Sequence, residues 1–231
     1  MADFTKDIKA VLVDVDDTIL DFSLCARADI QYCTEKHGVP FSETLFRTFE
    51  KRNATFWKQI EDGVLTVEEL RRTRWTSIFK ELVIDADGVA FEQDFIKHLK
   101  DYAFKVEGAE RMMSYLHSKY TVCIVSNATH EQQRRRISDA GLDKYVDRMF
   151  TSFDIGYVKP TREYFEACFS SMPGIRPEES IIIGDSLSAD IRGAIDYGIH
   201  TCWVNRKGNP APTDIVPDFT VTSLDSILSI L

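Results

Sequence analysis

The chain contains no apolar run of the ~18 residues that a membrane-crossing helix needs, so no membrane span is expected. Its first stretch, Met1 to Lys9, is too polar for a secretory signal. No C-x-x-C pair occurs, and the five cysteines Cys25, Cys33, Cys123, Cys168 and Cys202 are odd in number, so they read as reduced thiols of a cytoplasmic protein. Cys123 lies within a strand-like run and is assigned to the core. Basic charge is also short: 28 Lys and Arg stand against 37 Asp and Glu, a net charge of −9, which disfavours a nucleic-acid polymer as partner. The basic run Arg134-Arg135-Arg136 is read as the solvated face of a helix. Internal repeats and low-complexity stretches are absent, and the Pro-rich piece Gly208 to Pro217 reads as a loop. With 231 residues the chain can bury one α/β core and still carry a modest insert.

What the chain does have is an apolar run, Ala10 to Val13, that stops in Asp14-Val15-Asp16-Asp17-Thr18. The run has the length and β-branched content of a strand buried on both faces in a parallel sheet. In such sheets the ligand crevice lies beyond the carboxyl ends of the strands. Asp14 and Asp16 are two apart, so on extended chain their side chains point the same way and converge on one ligand. Paired carboxylates repel unless a cation neutralises them, and hard divalent ions such as Mg²⁺ take oxygen ligands. The plain alternative is an acidic turn that merely stops a strand.

Three further polar groups end or follow apolar runs. Thr121 to Asn127 is a strand closing in a hydroxyl and an amide, followed by helix-start residues Thr129 to Gln132. Ser126 with nearby backbone N–H groups suits a phosphate oxygen, and Ser126 or Thr129 equally suits a helix cap. Lys159 precedes Pro160, which restricts its backbone, although a lone lysine is most often a solvated residue. Ser180 to Gly184 is another strand, ending in Gly184-Asp185 with Asp190 five residues on. Gly184 permits close backbone approach and Asp185 occupies the place of a metal ligand, unless Asp185 or Ser188 is a helix cap.

Taken together and in this order, the four motifs resemble those of the haloacid dehalogenase superfamily of phosphoryl-transfer hydrolases, over nearly the whole chain. The resemblance implies an α/β fold with a doubly wound, Rossmann-like parallel-sheet core and an inserted cap built like a four-helix bundle. It makes Asp14 the nucleophile and Asp16 the general acid/base, places Ser126 and Lys159 on the phosphate, and gives the metal-binding acids as Asp185 and Asp190. Mg²⁺ is then expected on the Asp14 carboxylate, the Asp16 backbone carbonyl and Asp185, with Asp190 orienting a metal-bound water or holding a neighbouring group. Ser126, the Asn127 N–H and Thr18 join Lys159 in gripping the phosphoryl group, and Asp17 has no necessary role and faces solvent. The dehalogenases lack the second acid of the first motif, so Asp16 argues against dehalogenation, whereas a phosphomutase shares all four motifs. A receiver-like module or a phosphate-binding relative without turnover is disfavoured by the place of Asp14 on the first strand and by the completeness of the set.

The stretch between the first motif and the second strand reads as four helices from roughly Ser23 to Tyr102, one starting at the capping box Thr66 and Glu69 after the Asp62-Gly63 break. The resemblance implies a core of residues 1–20 and 104–231 and a cap of 21–103 that closes over the site. Downstream, helices are expected over Glu107 to Lys119, Ser126 to Ala140, Glu163 to Ser171 and Ser188 to Tyr197, then a short strand and a helix from Ser223. Cap aromatics Phe22, Tyr32, Phe46, Phe49, Phe56, Trp57, Trp75 and Phe79 read mainly as packing core, with Phe22 best placed to stack on a base. Arg74 reads either as a substrate contact or as a surface salt bridge. The run Trp57, Gly63, Thr66, Leu70, Arg74 with Thr201 to Asn205 is similar to the bacterial house-cleaning 5'-nucleotidase branch, implying nucleoside monophosphates. N-acylneuraminate phosphatases are similar in cap size and motifs, leaving sugar phosphates or a broad range of small monoesters open. Partners are therefore small phosphate monoesters, with the chain a monomer or weak dimer.

Overall fold

The computed structural model describes residues 4–210 and 212–231, so Met1 to Asp3 of the polar N-terminal stretch and Ala211 of the Pro-rich loop lie outside the described residues. The chain forms two compact units, one from the segment up to Asp21 with Lys105–Leu231, the other from Phe22–Phe104.

The first unit is built on six parallel strands: β1 (Ala10–Val13), β2 (Thr121–Ser126), β3 (Arg148–Thr151), β4 (Ser180–Gly184), β5 (His200–Val204) and β6 (Phe219–Val221). They lie in the order β3-β2-β1-β4-β5-β6. This is the doubly wound order in which succession reverses beside β1, which opens a crevice at the strands' carboxyl ends. All four residues of β1 are fully buried, as the continuous apolar run requires of a central strand. On one face Leu12, Cys123, Val125 and Ile182 pack with Tyr164 and Phe165 from the helix Arg162–Ser170 and Ala194 from the helix Gly193–Tyr197. By alternation Val11 and Val13 take the other face. The helices of this unit are α5 (Ala109–His117), α6 (His130–Asp139), α7 (Ser152–Ile155), α8 (Arg162–Ser170) and α9 (Gly193–Tyr197).

Two expectations change here. The helix expected from Ser188 begins as a π-turn over Leu187–Arg192, capped by Ser186 rather than by Asp185 or Ser188, and only then runs into α9. The C-terminal helix expected from Ser223 is a 3₁₀ segment, Leu224–Ser229, whose buried residues Leu224 and Ile227 are three apart, as that tighter turn places them.

The second unit consists of α1 (Phe22–His37), α2 (Glu43–Glu61), α3 (Val67–Glu81) and α4 (Gly88–Leu99). Ser42, Thr66 and Asp87 cap the last three, and Thr66 with Glu69 closes the capping box in both directions. Its core is aromatic: Trp75 is in ring contact with Phe49, Phe79, Phe91 and Phe95. Phe22 packs on this core against Phe49, with ring centroids 6.4 Å apart. Arg74 is neither solvent-facing nor in a surface pair. It is buried and forks onto both Glu92 oxygens at 3.1 and 2.6 Å, with Nη1 donating to Asn53 at 2.7 Å. Among the described residues no helix is long and apolar enough to cross a membrane, and all five cysteines are buried and unbridged.

Candidate active site

Parallel register brings the motifs together. Val13 pairs with Ile124 on one side and Ile183 on the other, so Asp14, Ser126 and Asp185 emerge side by side where β1, β2 and β4 end. Asp14 N–H still donates to the Ile183 carbonyl at 2.9 Å, which fixes its backbone to the sheet edge.

Lys159 lies in the loop after α7 and is held there by Asn127 in two directions: Asn127 Nδ2 donates to the Lys159 carbonyl at 3.0 Å, and Lys159 N–H donates to Asn127 Oδ1 at 2.8 Å. The Lys159 ammonium spends its three protons on Asp14 Oδ1 at 2.7 Å, Asp190 Oδ1 at 2.7 Å and the Val125 carbonyl at 3.0 Å. It is a buried ion pair rather than a solvated lysine. Burial works against the Lys159 charge, but the Asp14 and Asp190 carboxylates outweigh it and hold its pKa well above the usual lysine value. Asp190 Oδ2 accepts the Ser186 N–H at 3.1 Å, so both of its oxygens are engaged. The approach of Asp190 explains Gly184: a Cβ there would lie 2.3 Å from Asp190 Oδ2.

Carboxylate oxygens of Asp14, Asp185 and Asp190 come within 4.8 Å of one another. Burial pushes the Asp14 carboxyl up to about 7, with Lys159 pulling down and Asp190 pushing further up. Burial and the neighbouring Asp14, Asp190 and Asp17 charges push Asp185 well above the usual carboxylate range. One lysine among three carboxylates leaves the cluster short of positive charge. Close oxygen donors, two buried and one half-buried, in excess of the protein's own cations fit a hard divalent ion.

Asp16 points elsewhere. Its Oδ2 accepts Gln133 Nε2 at 2.8 Å and its Oδ1 accepts Arg136 Nη1 at 2.5 Å. Arg136, expected in a solvated run, is completely buried, although Arg134 and Arg135 are exposed. The basic triplet was legible but not its split. Gln133, Arg136 and Ile137, spaced by three and four, share one face of α6, and that face is buried. The signal available in the sequence was this spacing on the helix that follows the Ser126 strand. Thr129, not Ser126, caps α6. Ser126 Oγ instead accepts Gln133 Nε2 at 2.9 Å and the Ala128 N–H at 3.2 Å. The buried Tyr164 hydroxyl, also unanticipated, accepts the Ser126 N–H at 3.0 Å and donates to the Phe150 carbonyl at 2.8 Å, tying β2 to β3. Thr18 is completely buried, and its hydroxyl has no hydrogen-bond partner among the described residues.

Asp17 does not simply face solvent. It adopts a left-handed backbone (φ 60°), its carbonyl accepts Arg206 Nε at 3.3 Å, and its carboxylate pairs with Lys207 at 3.3 Å. Arg206 also reaches Asp21 at 3.5 Å, so the Asn205 to Lys207 loop clasps both sides of the turn that follows Asp16. Trp203 Nε1 donates to the Asp185 carbonyl at 2.8 Å.

A model of the haloacid dehalogenase-like hydrolases matches residues 8–198. YfnB of Bacillus subtilis, named as a HAD-hydrolase, is 33% identical over 226 residues, covering 98% of this chain and 96% of that protein. The pyrimidine 5'-nucleotidase PynA of Streptococcus pneumoniae is 27% identical over 224 residues, covering 96% and 94%. The crystal structure of YfnB bound to magnesium matches with a TM-score of 0.93 at 32% identity, over 97% of this chain and 98% of that one. A dehalogenase crystal structure at 19% identity shares the fold, with a TM-score of 0.78 over 97% of each chain.

Proposed function

This chain belongs to the haloacid dehalogenase-like hydrolases and is a phosphohydrolase, and from that premise we propose that it hydrolyses nucleoside 5'-monophosphates through an aspartyl-phosphate on Asp14, with Mg²⁺ as cofactor. The observation that carries this reading is the buried Lys159 bridging Asp14 and Asp190 beside Asp185, a carboxylate cluster with one fixed cation at the strand ends.

Asp14 and Asp185, with the Asp16 backbone carbonyl, are the groups that would hold Mg²⁺, and Asp190, whose oxygens serve Lys159 and Ser186, holds Lys159 in place. The ion supplies positive charge that offsets the repulsion between a phosphate dianion and an anionic nucleophile. The Asp14 carboxylate attacks phosphorus in line, the bond from phosphorus to the ester oxygen breaks, and Asp16 gives its proton to the departing alkoxide. Water then attacks the aspartyl-phosphate, Asp16 takes its proton, and the bond to Asp14 breaks to release orthophosphate. Lys159, Ser126, Thr18 and the Asn127 N–H bind the transferring oxygens. The unit Phe22–Phe104 acts as the cap that selects the substrate. Pyrimidine 5'-nucleotidases among the relatives support the nucleotide reading. N-acylneuraminate-9-phosphatases at 21 to 22% identity support sugar phosphates as the second reading. Unbridged cysteines suit a cytoplasmic setting.

Phosphate release tests this, measured with Mg²⁺ and with EDTA across nucleoside monophosphates, sugar phosphates, phosphoglycolate and an aryl phosphate. Metal-dependent release favouring pyrimidine monophosphates is expected. Preference for sugar phosphates moves the chain to the second reading, and no release from any substrate overturns the mechanism.

A further inference from the structure

The phosphatase chemistry above uses Asp16 and Ser126 but leaves unexplained why a helix inside the sheet unit commits a glutamine and an arginine to them. Burying a guanidinium is costly unless it is paired, and an apolar residue of similar volume often stabilises at least as well. Arg136 is completely buried and Gln133 likewise, so neither earns its place through solvation.

Their hydrogen bonds form one directed chain. Arg136 has only donors, so where its Nη1 meets Gln133 at 3.1 Å the atom facing it must be the amide oxygen. That fixes the flip of the amide and turns both Nε2 protons the other way. One goes to Asp16 Oδ2 at 2.8 Å and the other to Ser126 Oγ at 2.9 Å. Arg136 Nη1 meets the remaining Asp16 oxygen at 2.5 Å. The Asp16 carboxylate is thereby gripped at both oxygens from one face of α6. Ser126 Oγ, already accepting from Gln133 and from the Ala128 N–H at 3.2 Å, has both lone pairs engaged. Its one proton is left to donate, and a phosphoryl oxygen is an acceptor.

We propose that Gln133 and Arg136 are positioning residues for the hydrolysis: Arg136 sets the Gln133 amide, and that single amide fixes the Asp16 side chain beside Ser126 and leaves the Ser126 proton for the phosphoryl group. The inference rests on the reading of Asp16 as the group that protonates the leaving oxygen. It adds that the acid and the phosphate grip are not independent, because one side chain orders both.

Leaving-group dependence tests it. An alkoxide from a nucleoside monophosphate needs a proton to depart, whereas 4-nitrophenolate does not, and kcat/KM reports only the steps up to that departure. Gln133→Leu is expected to lower kcat/KM for a nucleoside monophosphate by about tenfold or more beyond its effect on 4-nitrophenyl phosphate, the same signature as Asp16→Asn in weaker form. Arg136→Leu should follow Gln133→Leu, and Arg136→Lys, which keeps one donor, should recover part of the loss. If Arg136→Leu fails to fold, Gln133→Leu, a change of similar volume, decides. Equal losses on both substrates separate the pair from Asp16 and overturn the inference, and no loss on either overturns it by leaving the pair a packing role. Wild-type protein that releases phosphate from neither substrate instead removes the phosphatase mechanism itself, and this inference with it, before any variant is compared.

Discussion

Two buried carboxylates, one in each unit, show what burial alone does and what a built site adds. Asp29 on α1 and Asp14 after β1 are both held far above the ordinary carboxylate range, chiefly by loss of water, to about 8 and about 7. Asp29 has only the Cys33 thiol, 3.6 Å from Oδ1, and its Oδ2 has no hydrogen-bond partner among the described residues. Its charged form is disfavoured by the helical core around it. Asp14 stands against the Lys159 ammonium, with Asp185 and Asp190 adding charge of its own sign. The polar clusters of the two units differ in the same way. Arg74 and Glu92 balance each other and Asn53 takes a further guanidinium donor, leaving a closed set. In the sheet unit three carboxylates share one lysine, and the set is not closed.

Replacing the proposed nucleophile breaks the contrast most sharply. Asp14→Asn should lower turnover by at least about 10³-fold, since removing a covalent nucleophile leaves only binding and positioning. The thermal midpoint should hold or rise because like charges are relieved. Phosphate release and thermal unfolding on the same sample check both arms. In the helical unit the expectation reverses. Arg74→Leu should cost about 3–5 kcal/mol by stranding Glu92, whereas Arg74→Leu with Glu92→Leu together should recover most of it, as denaturant midpoints would show.

A divalent ion should separate the two clusters. Mg²⁺ at a hundredfold excess over its dissociation constant should stabilise the protein by about 2.7 kcal/mol, and EDTA should reverse this. Asp185→Asn should shrink that shift while Asp29→Asn leaves it intact, read from thermal midpoints with and without the ion. The last contrast concerns pH. Because the folded protein holds the Asp29 proton up to about pH 8 while the unfolded chain releases it near its ordinary value of 3.8, folding binds protons in that window. Stability therefore declines as pH rises from about 4 to about 8 and levels off above. Asp29→Asn should flatten that part of the decline, leaving the share due to Asp14 and Asp185, and thermal midpoints measured across the window would show the difference.

Much of this fold was legible because its signals are local. Ala10 to Val13 and Ser180 to Gly184 announce buried strands by being apolar throughout, and Thr66 with Glu69 starts α3 by a capping pattern four residues long. β3 carried no comparable signal: it is four residues long and opens on the exposed Arg148. Arg74, Arg136 and Asp17 depart from expectation for a shared reason. A charged side chain prefers water unless a distant partner takes it, and neither hydropathy nor periodicity reveals the partner. Glu92 is 18 residues from Arg74, and Asp16 is 120 from Arg136. The Ser223 segment became 3₁₀ through packing of Leu224 and Ile227, which propensity does not encode.

By itself the sequence determined the parallel α/β core with its helical insert and placed Asp14, Ser126 and Asp185 at strand ends, because strand propensity and a shared sheet register follow from short runs of residues. The tertiary structure decided the charge state and aim of those groups. The ammonium that faces Asp14 comes from 145 residues away, and the amide that ties Asp16 to Ser126 comes from the buried face of a helix that hydropathy marks as polar. Electrostatic interactions reach full strength only where water is excluded, and which groups lose their water is settled when separate elements pack, not within any one of them.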